Sequence, residues 1–388
     1  MTSIQRQRLD QERHRFTHPL AFHSAATRGR IRPQADDPIR TCYERDAHRI
    51  LHAKPFRRLR NKTQVFFSPE NDHITTRMDH SLYVATISRT LCRALGLNDD
   101  LAYAAALGHD LGHSAFGHSG EATLRRLLQH GLDETAPRLP YHHEAQSLRV
   151  VDLLASHASG SELGLNLTYE VRDAIRCHCG ESRERLIRPR PSTATADPST
   201  FLGLKTDPIT LEGCVVRLSD RVAYLGRDYE DALVALGDLP PLPTLVREVL
   251  GQDNRQIINS LVTDLIQQNH HEPEAVGFSP RVFEAMDGLR AYNYQHIYRH
   301  PRLEENRHKM DHIIQRIFEE AVRWVERIRA GERGPTGTRF QHLAHFMEGA
   351  GYAPNERPAR IAIDWIALMT DNYAFRTYEE LTIPRPVV

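Results

Sequence analysis

Apolar residues in this chain recur at intervals of three and four and hardly ever at two, which points to a fold built from helices. His80, Val84, Ile87, Leu91 and Leu95 step by four, three, four and four, one stripe of an amphipathic helix. Asn98 then offers a cap for a following helix, with Asp99 and Asp100 in a first turn where carboxylates suit the helix dipole. That helix carries Ala102, Ala106, His109 and His113 down one side. The pattern returns at Ile258, Leu261, Val262 and Leu265, and again at Ile314, Ile317, Phe318, Ala321, Trp324, Val325 and Ile328. The expectation is an all-α fold, with room for a short strand or hairpin that periodicity does not register.

Two stretches interrupt the helices: RPRPSTATADPS at 188–199 and Leu239-Pro240-Pro241-Leu242-Pro243. With 40% hydrophobic and 26% charged residues, the chain has the composition of a packed protein rather than a disordered one. Lys plus Arg equals Asp plus Glu at 50 each, so there is no global basic field to hold nucleic acid. A local patch at Arg57, Arg58, Arg60 and Lys62 reads equally well as a solvated helix face. Five scattered cysteines suggest a reducing compartment; Cys177-x-Cys179 offers a metal-binding pair but, without a second paired cluster, reads more readily as an incidental feature of a buried helix. The N-terminus lacks the apolar core of a signal peptide, and no run approaches the roughly 18 apolar residues of a membrane span. A soluble cytoplasmic protein without a membrane partner is expected.

Histidine stands out with 23 copies, and it is both the commonest side-chain metal ligand and a proton carrier near neutral pH. Residues 107–121, LGHDLGHSAFGHSGE, hold three histidines and two carboxylates. His109 and Asp110 offer nitrogen and oxygen from adjacent positions, which needs a distorted or helix-end backbone to converge on one ion; Gly108 and Gly112 permit that flexibility. Further ligands come from distant helices, with His80 and Asp220 as candidates. Taken alone, each fits a buried, hydrogen-bonded polar residue at least as well.

The order His, His-Asp, Asp is that of the HD-domain metal phosphohydrolases, and the chain resembles their deoxynucleotide triphosphohydrolase branch. The resemblance rests on RRLRNKTQVF at 57–66, TTRMDHSLYVA at 75–85, GHDLGHSAFGHSGE at 108–121, HHEAQSLR at 142–149, YEVRDAI at 169–175, EGCVVRLSDRVAYLGRDYEDA at 212–232 and DWIALMTDNYA at 364–374. After the histidine of the 142–149 block, where bacterial forms commonly carry asparagine, this chain has Glu144. The implied architecture is an HD-domain helical bundle with a C-terminal helical extension. Its expected parts are an N-terminal arm at 1–44, an HD core at 45–250 and a helical region at 251–388 packed on that core.

The resemblance implies that His80, His109, Asp110 and Asp220 bind one divalent ion, whether manganese, magnesium, iron or cobalt. His118 and Glu121 lie three residues apart, so on a helix they share a face; the resemblance makes them the catalytic pair, His118 protonating the departing 5′ oxygen and Glu121 holding its ring. A plain N-capping role for Glu121 is the alternative. Asp220, Tyr224 and Asp228, at steps of four, share one helix face. By resemblance Tyr224 packs against C2′ of the sugar, while Asp228 and Gln64 bind its 3′ hydroxyl. Arg77, His113 and His143 cradle the triphosphate, with Arg221 near enough to join them. The expected reaction is water attack on the α phosphorus of a deoxynucleoside triphosphate, releasing deoxynucleoside and tripolyphosphate. Relatives form homo-oligomers, which is expected here too. An HD-type phosphodiesterase or nucleotidase acting on other nucleotides, and a nucleotide-regulated protein that grips single-stranded nucleic acid, stay open as alternatives.

Overall fold

A computed structural model describes residues 2–67, 71–130, 141–155, 163–179, 184–191, 193, 196–201, 206–333 and 338–384. Among these, the first helices are α1 (Ser3–Arg15), α2 (Cys42–His52), α3 (Lys54–Arg58), α4 (Arg77–Leu95) and α5 (Asp99–Gly108). They are followed by α6 (Gly117–His130), α7 (His143–Arg149), α8 (Tyr169–Cys177), α9 (Leu211–Leu236), α10 (Thr244–Val249) and α11 (Asn254–His271). The last are α12 (Pro280–Asn293), α13 (Pro301–Arg329), α14 (Arg339–Ala350), α15 (Pro358–Ala367) and α16 (Asp371–Thr382). The all-α expectation holds. A two-residue antiparallel pair, β1 (Leu186–Ile187) and β2 (Val276–Gly277), joins segments far apart in the chain and is a strand element too short for periodicity to register. Of the 188–199 interruption, residues 192, 194 and 195 lie outside the described residues; the rest is irregular apart from one 3₁₀ turn.

Among the described residues two large hydrophobic cores organise the helices, beside a small third cluster at Phe66, Ile74, Ala232 and Ile297. In the first, α4 packs against α5 and α9, and the stripe Val84, Ile87, Leu91 and Leu95 is buried there with Leu101, Leu107, Val216 and Leu218. Truncating a fully buried member such as Leu91 to alanine would cost about 2–5 kcal/mol. In the second, Leu124 and Leu128 of α6 meet the long stripe of α13 and the apolar faces of α14 and α15. Phe116 belongs to this second core and also lines the cleft where His80 and Asp110 lie.

Local sequence places the cleft residues. Thr76 and Asp79 cap α4 reciprocally, which sets Arg77 and His80 in its first turn. The Asn98 side chain accepts from the backbone N–H groups of Asp100 and Leu101, as its position before α5 suggested. The side Ala102, Ala106, His109, His113 does not remain helical throughout, because α5 stops at Gly108 and a turn follows. Gly108 and Gly112 serve close approach, not the flexibility expected of them. A Cβ on Gly112 would lie 2.1 Å from the Ser147 nitrogen of α7, and one on Gly108 would lie 2.5 Å from Ile175 Cδ1 of α8. Ser147 then clamps the turn, accepting from the Gly112 N–H and donating to the His109 carbonyl.

Of the basic patch, Arg57 and Arg60 are exposed as a solvated face would be, and Lys62 departs from that reading. Lys62 is 2% exposed and donates to the carbonyls of His113 and Ala367, so it braces the interior instead of facing solvent. Just beyond, Phe116 and Gly117 both have left-handed backbone, at φ of 62° and 56°. For a bulky residue such as Phe116 this is strained. Asp371, at the start of α16, holds the strained turn by accepting the Phe116 N–H while its other oxygen takes the N–H and hydroxyl of Thr63. Among the described residues no helix is long and apolar enough to cross a membrane.

Candidate active site

The candidate residues of α4, of the turn after α5 and of α9 converge on one cleft of about 250 Å³. His80 Nε2 lies 2.9 Å from Asp220 Oδ1, and His109 Nε2 lies 3.4 Å from Asp110 Oδ1 and 4.0 Å from Asp220 Oδ1. His80, His109 and Asp110 each bring one ligand atom within 4.8 Å of the others. His109 donates Nδ1–H to the Ala106 carbonyl at 2.6 Å, so Nε2 carries the lone pair, buried and without a partner. Such an orphaned nitrogen, held by a backbone carbonyl and facing two carboxylates, fits a metal ion. Two imidazoles and two carboxylates also balance a dication.

The charges in this corner support one another. Burial alone would raise the Asp110 pKa, but His109, His113 and Arg77 outweigh it and hold the carboxyl well below its usual range. Asp220 is likewise lowered against its burial by the hydrogen bond and charge of His80. His80 is raised, the pull of Asp220 and Asp110 overcoming desolvation. Arg77, expected to cradle phosphate, does line the cleft, but its Nη1 donates to Asp110 Oδ2 at 2.8 Å and its Nε to the Thr63 carbonyl.

Beside this corner stands a row of histidines. His113 Nε2 lies 3.1 Å from Asp110 Oδ1, and its ring stacks on His143 with centroids 3.9 Å apart. Burial, then the charges of Arg77 and His143, keep the His113 pKa far below normal. The ring is therefore neutral, Nε2 carries the proton given to Asp110, and Nδ1 is a bare acceptor without a partner. His118 and Glu121 do share a face of α6, at 3.6 Å, with His118 74% exposed at the mouth and Glu121 5% exposed. Glu121 also accepts from the His143 backbone N–H and lies 3.1 Å from its Nδ1. The capping alternative thus has substance of its own, though the helix capped is α7. Glu144 is buried, with its carboxylate 3.7 Å from both His143 and Arg176.

Tyr224 and Asp228 line the other end of the cleft, one and two turns along α9 from Asp220. Asp228 Oδ2 accepts from the Tyr298 hydroxyl at 2.5 Å, and Oδ1 is buried without a partner. Burial pushes the Asp228 carboxyl up to about 7. Gln64 is buried on the same cleft with an unpartnered Oε1. All twelve candidate residues thus lie in or directly against the cleft. Sequence reasoning missed Tyr298, His178, Cys179, Arg217 and Arg307, which line it too. Tyr298 sits on a π-helical turn that closes α12, and nothing in the spacing ties it to Asp228 70 positions earlier.

Comparison with known proteins bears on this geometry. Residues 77–225 match the HD domain, a span that holds all four candidate ligands, and residues 276–380 match a phosphohydrolase-associated domain. A deoxyguanosinetriphosphate triphosphohydrolase-like protein of Caldanaerobacter subterraneus subsp. tengcongensis is 36% identical over 95% of this chain and 93% of its own length. Another so described, from Desulfatibacillum aliphaticivorans, is 36% identical over 99% of both chains, and one from Clostridium tetani is 32% identical over 95% of this chain and 94% of its own. With identity of this order running end to end, and the HD match enclosing His80, His109, Asp110 and Asp220, the chain belongs to the deoxyguanosinetriphosphate triphosphohydrolase-like family of HD-domain phosphohydrolases.

Proposed function

We propose that the cleft hydrolyses deoxynucleoside triphosphates to deoxynucleoside and tripolyphosphate, by attack of water on the α phosphorus. The observation that carries this reading is the single face of α9 on which Asp220, Tyr224 and Asp228 follow one another within one cavity. A group that hydrolyses phosphate at one end and holds a sugar at the other needs that adjacency.

In this reading His80, His109, Asp110 and Asp220 hold one divalent ion, which when bound supplies Lewis acidity at the phosphate and lowers the pKa of water. Arg77 keeps Asp110 ionised and oriented from behind. His113, neutral and tied to Asp110, meets a phosphate oxygen when the substrate's negative charge draws a proton onto Nδ1. His143, with its pKa raised well above normal because Glu121 outweighs burial, adds positive charge beside it. Arg217, Arg221 and Arg307 line the same wall. His118, exposed at the mouth, takes a proton from solvent and delivers it to the departing 5′ oxygen. Glu121, an acid held well below its normal pKa by His143 and His118 despite burial, stabilises the charged ring. Tyr224 crowds C2′ against a ribose hydroxyl, while Gln64 and Asp228 bind the 3′ hydroxyl with the unpartnered oxygens described above.

The test is product analysis of the purified chain incubated with manganese and each deoxy- and ribonucleoside triphosphate. Tripolyphosphate with free deoxynucleoside is expected. Pyrophosphate or orthophosphate as the first product would turn the reading toward a phosphodiesterase or nucleotidase.

A further inference from the structure

Short helix α3 faces α14, α15 and the start of α16 across a second cavity, of about 410 Å³, which shares no lining residue with the cleft. Its lining divides by chemistry. Phe346 of α14, Trp365 of α15 and Tyr373 of α16 supply aromatic walls, and the Trp365 and Tyr373 rings meet edge to face with centroids 6.4 Å apart. Lys54 and Arg58, one turn apart on α3, supply the charge. The other polar lining is His342, His345 and Thr370, so among the described residues no carboxylate faces the cavity. Apolar and aromatic walls with a few convergent polar groups, in a volume of this order, characterise small-molecule sites.

Arg58 is the unusual member. It is half-buried, yet among the described residues it pairs with no acid, and its guanidinium makes a single long hydrogen bond, from Nη1 to the Leu368 carbonyl at 3.3 Å. Burial lowers its pKa, and no carboxylate offsets that shift. Other arginines drawn into the interior are matched: Arg149 and Arg360 meet Asp364, and Arg172 meets Asp152 and Asp197. A guanidinium taken partly out of water without a counter-ion is unfavourable, and an anion entering the cavity relieves it.

We infer that this cavity binds an aromatic acid, a flat ring body carrying one carboxylate or phosphate, with the ring among Phe346, Trp365 and Tyr373 and the head on Arg58 and Lys54. The fork of an arginine matches either head. The wall at Leu368, Met369 and Thr370 is also a joint. Just before it the Ala367 carbonyl takes Lys62, which holds the His113 carbonyl as well, and just after it Asp371 holds Phe116. An occupant therefore rests on the same segment that braces the cleft. The site stands on its own lining and does not depend on which nucleotide the enzyme cleaves.

The experiment is calorimetric titration of the manganese-loaded full-length chain with indole-3-acetate and, separately, with phenylphosphonate as a stable stand-in for a phosphate head. Saturable binding of at least one is expected, and the tighter of the two identifies the head. Indole-3-acetamide, which lacks the charge, and hexanoate, which lacks the ring, should bind at least about tenfold more weakly. Arg58→Met should weaken binding about tenfold or more and Lys54→Met about three-fold, while Arg57→Met, exposed on the same helix, leaves it unchanged. No saturable heat from either acid below about 5 mM overturns the proposal. So does affinity unchanged in Arg58→Met, because the anion then binds elsewhere, the cleft included. Should Arg58→Met fail to fold, Lys54→Met carries the test alone: Lys54 is exposed, so its replacement leaves the fold intact, and unchanged affinity there overturns the site. These readouts do not use turnover, so a chain inactive on deoxynucleoside triphosphates leaves the test intact, and an empty cavity leaves the proposed reaction standing.

Discussion

Asp220 and Asp228 lie two turns apart on one face of α9, both with little exposure, and their surroundings push them in opposite directions. Asp220 faces His80, whose hydrogen bond and charge outweigh burial and keep it ionised. Asp228 faces the Tyr298 hydroxyl, and burial outweighs that hydrogen bond and the charges of His80 and Arg77 and lifts it to about 7. One helix face is thereby divided into an end that stays negative and an end close to neutral, the division the proposed function assigns to a cation and a sugar hydroxyl. Pairs of acids separated in this way commonly mark different roles in one site.

The largest effect should come from exchanging the negative end for nothing. Asp220→Ala is expected to lose divalent-metal binding and bring turnover to background, whereas Asp228→Ala keeps the metal and loses substrate affinity. Calorimetry of manganese binding beside steady-state kinetics distinguishes them, and equal metal loss in both variants would erase the division. Next, His118→Ala addresses the boundary between the ends, where the scissile oxygen lies in the proposed reaction. It should lower kcat by about 10²–10⁴-fold with metal binding unchanged. A variant running at full speed removes His118 from the chemistry.

The pH dependence of stability reads Asp228 directly. Folded, it keeps its proton to about pH 7; unfolded, it releases it near 3.8, so the native state binds more protons between those values and stability falls as pH rises across that window. This single group contributes a slope of at most about 1.4 kcal/mol per pH unit. Asp228→Asn should flatten that component in denaturant titrations at pH 5 and 7.5, and an unchanged slope would show that other groups govern it. The smallest effect is expected from Tyr298→Phe. Losing one hydrogen bond should cost about 1 kcal/mol, or roughly five-fold in KM for the deoxynucleotide. Because that hydrogen bond lowers the Asp228 pKa, its removal should also move Asp228 titration to higher pH.

What could be read in advance follows from how far along the chain each cause acts. The Val84–Leu95 stripe, the Asn98 cap and the Asp220–Tyr224–Asp228 face all depend on helical spacing, which is local. The four ligands were recognisable as a set only through the order of seven blocks, since each alone is an unremarkable buried polar residue. Three things escaped. The end of α5 at Gly108 is set by packing of α7 and α8 against the turn, and a stripe continuing to His113 conceals it. Tyr298 reaches Asp228 only through tertiary folding. His178 and Cys179 follow the end of α8 as His109 and Asp110 follow that of α5, but a Cys-x-Cys spacing alone does not show that its second member lines the cleft.

Asp371 bears on how separable the two matched regions are. It lies in the phosphohydrolase-associated match, yet its carboxylate holds the left-handed Phe116 inside the HD match. A fragment or chimera ending after residue 225 would keep all four candidate ligands and the His118–Glu121 pair while losing the anchor for the turn at Phe116. For protein engineering the HD segment is therefore not a transplantable cassette, and a swap should carry Asp371 with Thr63 and Phe116 as one inherited unit.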